Sequence, residues 1–327
     1  MKLRQISFKI VSLVMVFAIL FGVSATTISA AAQGVEHNHT DGNKEEFNYV
    51  SLGASNVNGY GMHGYLGEDV YKYPLLKQSA NIYGYKQNTP GSYPVLIQEA
   101  LSEKYDVNLS QLAISSMRAE EVRFLLDDSY TGDAYTDWRF CDVEGYDQRW
   151  SQDWFHLAGK LEWEAQGNAG TPTQEQAVAA LKKAYRDAIA NADLITVDIG
   201  VNNFGVYASN QIVSNMYEND ITKLDPDLAA KYEAGKAYAL EIIAEYADGI
   251  IIPVETLDHM ADTMAFALVG FCLSFDAVME QIYTLNPDAE VVVLGTFNAL
   301  EGLVIDLGDG TVLNVSDFAA KAVAGLN

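Results

Sequence analysis

Short apolar runs alternate along this chain with longer stretches in which apolar residues recur at helical spacing, the pattern of strands alternating with helices. Tyr49–Leu52 is a brief run that stops at Gly53 and predicts a first strand followed by a glycine-rich turn, with Gly59, Gly61 and Gly64 allowing tight bends. Ser92–Lys104 has apolar residues at helical spacing, with Ser92 as a cap and Pro94 in the first turn. Val107–Ile114 predicts a second strand, the turn at Ser115-Ser116-Met117-Arg118 follows, and AEEVRFLL restarts as a helix. Thr173–Ala190 predicts a helix opened by a threonine and a glutamate at capping-box spacing. Ala192–Ile199 predicts a third strand running into Gly200-Val201-Asn202-Asn203, and Asp227–Tyr246 and about Thr256–Leu285 predict two further helices. Val291–Leu294 predicts a fourth strand, and the remainder suggests a small hairpin or loop and the start of a helix. Such alternation implies an α/β fold with a parallel sheet covered on both faces and right-handed crossovers.

Two stretches fit the alternation less well. Tyr60–Thr89 is rich in Tyr and Gly without a clear period, and predicts an excursion over the sheet edge whose tyrosines line a pocket or simply pack. About 127–170 predicts an insertion containing Trp138, Trp150, Trp154 and Trp163; it either shapes a cleft or forms a satellite cluster under a long loop.

The first 32 residues change the picture of location. Lys2, Arg4 and Lys9 precede the apolar Ile10–Val23, and Ala30-Ala31-Ala32 offers small residues for cleavage, which predicts a signal peptide and a secreted protein, with cell-surface association possible. The apolar run is short for a membrane span of about 20 residues, and Met264–Phe275, flanked by Asp262 and Asp276, suits a buried helix, so no stable membrane span is expected after cleavage. Residues 33–46 are polar and predict a linker, leaving 47–327 as one domain. Loss of the leader takes the net charge from −24 to −27, which argues against a nucleic-acid partner and for solubility. Cys141 and Cys272 are the only cysteines, and Cys272 lies in an apolar stretch that suits a small buried hydrophobe. Zinc-type spacing is absent, and no metal or other cofactor is expected.

Chemistry is carried by polar residues at three predicted strand ends: Gly53-x-Ser55, Ser115-Ser116 and Gly200-x-Asn202-Asn203. Loops at the carboxyl ends of parallel strands converge on a crevice. Acyl transfer needs a hydroxyl nucleophile and donors aimed at the developing oxyanion, and a serine, an asparagine amide and main-chain N–H groups are those parts.

These blocks resemble the SGNH, or GDSL-type, hydrolases, a family of secreted esterases and lipases. Leu52-Gly53-Ala54-Ser55 with Gly59-Tyr60-Gly61 is similar to the first block, Ala113–Ala119 to the second, and Gly200-Val201-Asn202-Asn203 to the third; PDAEVVVLGTFN is similar to the fourth-strand segment. The resemblance spans roughly residues 47–300. It implies a three-layer α/β/α, flavodoxin-like sandwich with strand order 2-1-3-4-5. It implies Ser55 as nucleophile, an oxyanion hole of the Ser55 N–H, the Ser116 N–H and the Asn202 amide, and Gly53, Gly200 and Asn203 in support. Substrates would be carboxylic esters, including acyl lipids and acylated sugars. No motif specifies acyl length, alcohol portion or oligomeric state.

Four departures stand out: Ala54, Ser116 and Asn203 replace an acid, a glycine and an aspartate, and the family's last block, D-x-x-H, is absent after Asn298. That block supplies the base, so the chain is expected to lack the last strand and the catalytic pair. His63, His156 and His259 are alternative bases, each more readily understood as a surface or packing residue. A non-catalytic extracellular module that binds acyl or carbohydrate ligands in the same crevice is the rival expectation.

Overall fold

In the computed structural model the described residues are 44–60, 62, 64–65, 84–115, 117–130, 149–203, 226–246, 254–295, 304–306 and 312–314. The elements run β1 (Glu46–Gly53), α1 (Tyr93–Leu101), β2 (Asp106–Gln111), α2 (Ala119–Leu126), α3 (Arg149–Ala165), α4 (Gln174–Ala190), β3 (Leu194–Asp198), α5 (Pro226–Tyr246), α6 (Val254–Leu285), β4 (Glu290–Val293), β5 (Val304–Asp306) and β6 (Val312–Asn314). β1 to β4 form a four-stranded sheet in the order β2-β1-β3-β4, and every pairing is parallel. This is an α/β fold compatible with a three-layer sandwich, and its strand order is the first four places of the doubly wound order. β5 and β6 pair separately as an antiparallel hairpin, as the tail suggests. β4 is the outermost described strand on its side, with Val292 and Val293 40% and 49% exposed.

Strand periodicity gives the sheet two unlike faces. Val50 and Leu52 share a face with their partners Ile195 and Val197, and pack with Leu125 of α2, Phe155 of α3, Leu181 and Tyr185 of α4 and Ile282 of α6. Tyr185 ties this layer to the sheet by donating its hydroxyl to the Leu112 carbonyl. On the opposite face Tyr49, Ser51 and Thr196 are almost wholly buried. Tyr49 Oη lies 3.0 Å from Thr196 Oγ1, which lies 3.1 Å from Ser51 Oγ, and Ser51 Oγ lies 3.3 Å from the Tyr93 hydroxyl at the start of α1.

Several expectations shift. β1 begins at Glu46, inside the segment read as linker, because pairing with β2 starts at Glu46 opposite Asp106. The N3 partner in the α4 capping box is Gln176, whose side chain accepts from the Thr173 N–H at 2.9 Å; Glu175 instead accepts from the Thr173 hydroxyl. In the predicted insertion, α3 packs on α4 and its Phe155 and Ala158 belong to the main core rather than to a satellite cluster. Trp163 is half-buried on α3, whereas Trp138 and the side chains of Trp150 and Trp154 lie outside the described residues. α6 contains Ala261–Leu285, long and apolar enough to cross a membrane by length and composition, yet Val278 and Ile282 are fully buried in the core. Cys272 on α6 is a free, half-buried thiol, and burial raises its pKa.

Candidate functional site

The parallel register brings the ends of β1 and β3 side by side, with Gly53 opposite Asp198. A side chain at Gly53 would place its Cβ 2.5 Å from the Asp198 carbonyl oxygen, so the strand exit has room for glycine alone. β2 ends on the other side of β1, where the Leu112 N–H donates to the Ser51 carbonyl at 2.9 Å. The three turns singled out in the sequence therefore leave one edge of the sheet from adjacent strands.

Ser55 sits in a tightly wound turn. The N–H groups of Val57 and Asn58 both donate to the Ala54 carbonyl, at 3.1 and 3.2 Å, and that of Tyr60 donates to the Ser55 carbonyl at 2.8 Å. Ser55 itself is half-buried, and among the described residues neither its hydroxyl nor its N–H is engaged. The next residue, Asn56, donates from Nδ2 to Asp198 Oδ2 at 2.5 Å, joining the serine turn to the end of β3. Asn58 Nδ2 donates to Ser115 Oγ at 3.1 Å, joining it to the turn after β2, and Tyr65 Oη also meets that oxygen at 2.9 Å.

The turn after β3 completes the lacing. Gly200 takes a φ of +118°, and the Phe271 ring of α6 lies 2.6 Å from where a Cβ would stand, so both backbone and neighbour require glycine. Asn202 Nδ2 donates one proton to the Met117 carbonyl at 2.9 Å, which fixes the amide while its other proton has no partner among the described residues. Asn203 is buried: Oδ1 accepts from the Ala119 N–H at 2.9 Å, and Nδ2 donates to Glu120 Oε2 at 2.7 Å. Arg118, fully buried, pairs in two-pronged fashion with Glu121, through Nε at 3.2 Å and an Nη at 2.9 Å. These contacts account for asparagine at 203. An aspartate there would set a second carboxylate against Glu120 where the amide now donates.

Ser55, Asn202, Gly53, Gly200 and Asn203 thus share one edge, while Ser116 and His63 lie outside the described residues, as does the side chain of His156. His259 is on α6, with its carbonyl accepting from Thr263 Oγ1 at 2.8 Å. Among the described residues no three His, Cys, Asp or Glu side chains gather as metal ligands. Two residues of the site escaped the sequence analysis, Asn56 and Asp198. Asp198 is 8% exposed, and burial raises its pKa to about 6 against the opposing effect of the Asn56 hydrogen bond. Its signal was an ionisable side chain closing the short strand-like run Leu194–Val197, two residues before Gly200.

No protein-family model matches the chain, and no curated protein matches it either. What the edge offers chemically is a half-buried hydroxyl, an anchored amide with a proton to give, and a main-chain N–H that no described residue engages.

Proposed function

We propose that this chain is an exported serine esterase that cleaves carboxylic esters at the edge where β1, β2 and β3 end. The observation that carries this is the pairwise hydrogen bonding of the three turns: Asn56 to Asp198, Asn58 to Ser115 and Asn202 to Met117. Three independent turns are held there in one arrangement, around a serine whose hydroxyl and N–H are uncommitted among the described residues. The resemblance to the SGNH hydrolases assigns the same residues the same parts.

In this reading Ser55 Oγ attacks the ester carbonyl carbon and its proton passes to one of the candidate bases His63, His156 and His259, which hands it on to the departing alcohol. The Ser55 N–H, the Ser116 N–H and the Asn202 amide receive the oxyanion, the alcohol leaves, and water releases the acid from the acyl-serine. Gly53 and Gly200 admit the close backbone approach, and Asn203 holds the start of α2. Residues 1–32 direct export, substrates are small, lipid or acylated-sugar esters, and neither cofactor nor nucleic acid takes part.

Turnover of p-nitrophenyl acetate and butyrate tests this. The parent should hydrolyse both, and Ser55→Ala should lose the activity; equal rates in the two would end the proposal. A second reading, a binder that holds acyl or sugar ligands without cleaving them, is favoured by the absence of a D-x-x-H block after Asn298. A fluorophosphonate separates the two, because it forms an adduct only with an activated hydroxyl.

A further inference from the structure

We propose that Asp198 is a proton-operated positioning residue for Ser55: ionised, it draws Asn56 onto the end of β3 and fixes the serine turn, and protonated, it lets that turn relax. This deepens the esterase proposal and rests on it for its catalytic meaning.

The geometry is that of a tether with one attachment. Asn56 directly follows Ser55, and its Nδ2 is the one donor to the Asp198 carboxylate among the described residues. The hydroxyls on the same sheet face are occupied with each other, Tyr49 with Thr196, Thr196 with Ser51 and Ser51 with Tyr93. Tyr93 faces the carboxylate from α1, and its phenol is driven to a higher pKa by burial and then by the Asp198 charge. From β1 the titratable group on this face is Tyr49, and no cation among the described residues contributes to the Asp198 site. A buried carboxylate with one amide donor and no counter-ion is poorly solvated as an anion. Its ionisation therefore falls within reach of neutral pH, and the burial shift described above agrees.

Protonation changes the tether. The charged acceptor makes a short, charge-assisted bond with the amide; a neutral acid loses that assistance and adds an O–H that needs an acceptor of its own. The strain of that change passes first to Asn56 and then to the adjoining Ser55 N–H and Oγ.

Two measurements on the full chain test this. In the first, the Asn56 side-chain amide and the Ser55 backbone amide are followed by NMR from pH 4.5 to 8. Both should titrate with a midpoint near 6, and the titration should vanish in Asp198→Asn, whose amide oxygen still accepts from Asn56. Signals that do not move in the parent, or that still titrate in the variant, overturn the proposal. In the second, fluorophosphonate labelling of Ser55 should fall about tenfold on the acid side, the scale of losing charge assistance from one hydrogen bond. Asp198→Asn should label slowly at every pH, and an acid limb that persists in it belongs to another group and sinks the proposal. Amide titration without any labelling upholds the tether and removes only the esterase reading.

Discussion

The two faces of the sheet come from the same strands, one residue out of phase, and they do different work. One face presents Val50, Leu52, Ile195 and Val197 to an apolar helical layer. The other presents Tyr49, Ser51, Thr196 and Asp198, equally buried but polar. Parallel sheets are usually apolar on both sides, because helices cover both. Here the polar side is tolerated because its hydroxyls satisfy one another across the β1–β3 register. Asp198 is the exception, a buried acid with a single amide donor, and it stands beside the serine turn. The apolar face supplies stability, and the polar face carries the charge that bears on the site.

The largest effect should come from breaking the apolar side. Leu52→Ala removes a fully buried side chain from a packed layer and should cost about 2–5 kcal/mol by urea denaturation. The Asn56 amide titration should survive in the molecules that stay folded. A loss below about 1 kcal/mol would mean that the core does not centre on this face.

Asp198→Asn should act with the opposite sign. The folded pKa of Asp198 is raised from the ordinary 3.8 to about 6. Below 3.8 the carboxyl is protonated whether the chain is folded or not, and the burial has no electrostatic cost. From about pH 3.8 to 6 the unfolded chain ionises while the folded one keeps its proton, so stability falls across that window and levels off above 6. At about 1.36 kcal/mol per unit, this cost reaches about 3 kcal/mol by pH 8. The variant should therefore be more stable than the parent at pH 8 by up to that amount and no more stable at about pH 3. Equal gains at both pH values would show that packing, not charge, sets the difference. A gain in stability with a loss of serine reactivity is the trade expected of a residue kept for function.

Much of this was open to inspection in the sequence, and the division is physical. Strand positions follow from short apolar runs between helical stretches, the strand order is the one the family resemblance implied, and the turn residues Ser55, Asn202 and Asn203 stand out because polar groups close apolar runs. The polar face was hidden, since Tyr49 and Ser51 read as part of a generally apolar strand. Their partnership with Thr196 exists only through a register that pairs residues 145 positions apart, Ser51 with Thr196 and Tyr49 with Leu194. Asn56 and Asp198 were missed for the same reason: neither means anything alone, and they lie 142 positions apart. The role of α3 was hidden too, because its tryptophans drew attention away from Phe155 and Ala158, which do the packing.

Asn203→Asp probes the edge rather than either face. Aspartate keeps an oxygen for the Ala119 N–H but replaces the donor to Glu120 Oε2 with an acceptor. A cost of about 2 kcal/mol is expected at pH 8, shrinking on acidification as one of the two carboxyls takes up a proton. A pH-independent loss would assign the role of Asn203 to shape instead.

The smallest effect, and the finest test of the polar face, is Thr196→Val. The change preserves shape and removes one hydroxyl from the middle of the chain that runs from Tyr49 to Tyr93. Ser51 keeps Tyr93, but the hydroxyl of the fully buried Tyr49 loses a partner. The expected cost is about 1 kcal/mol, the penalty for a buried donor left unpaired. If that penalty belongs to Tyr49, then Tyr49→Phe in the same molecule removes the orphaned group, and the double variant should be less destabilised than the two single changes added together, by about 0.5–1 kcal/mol. Additive losses would show the two hydroxyls to be independent. The contrast between the faces would then rest on Asp198 alone, with the hydroxyls as bystanders to the charge they surround.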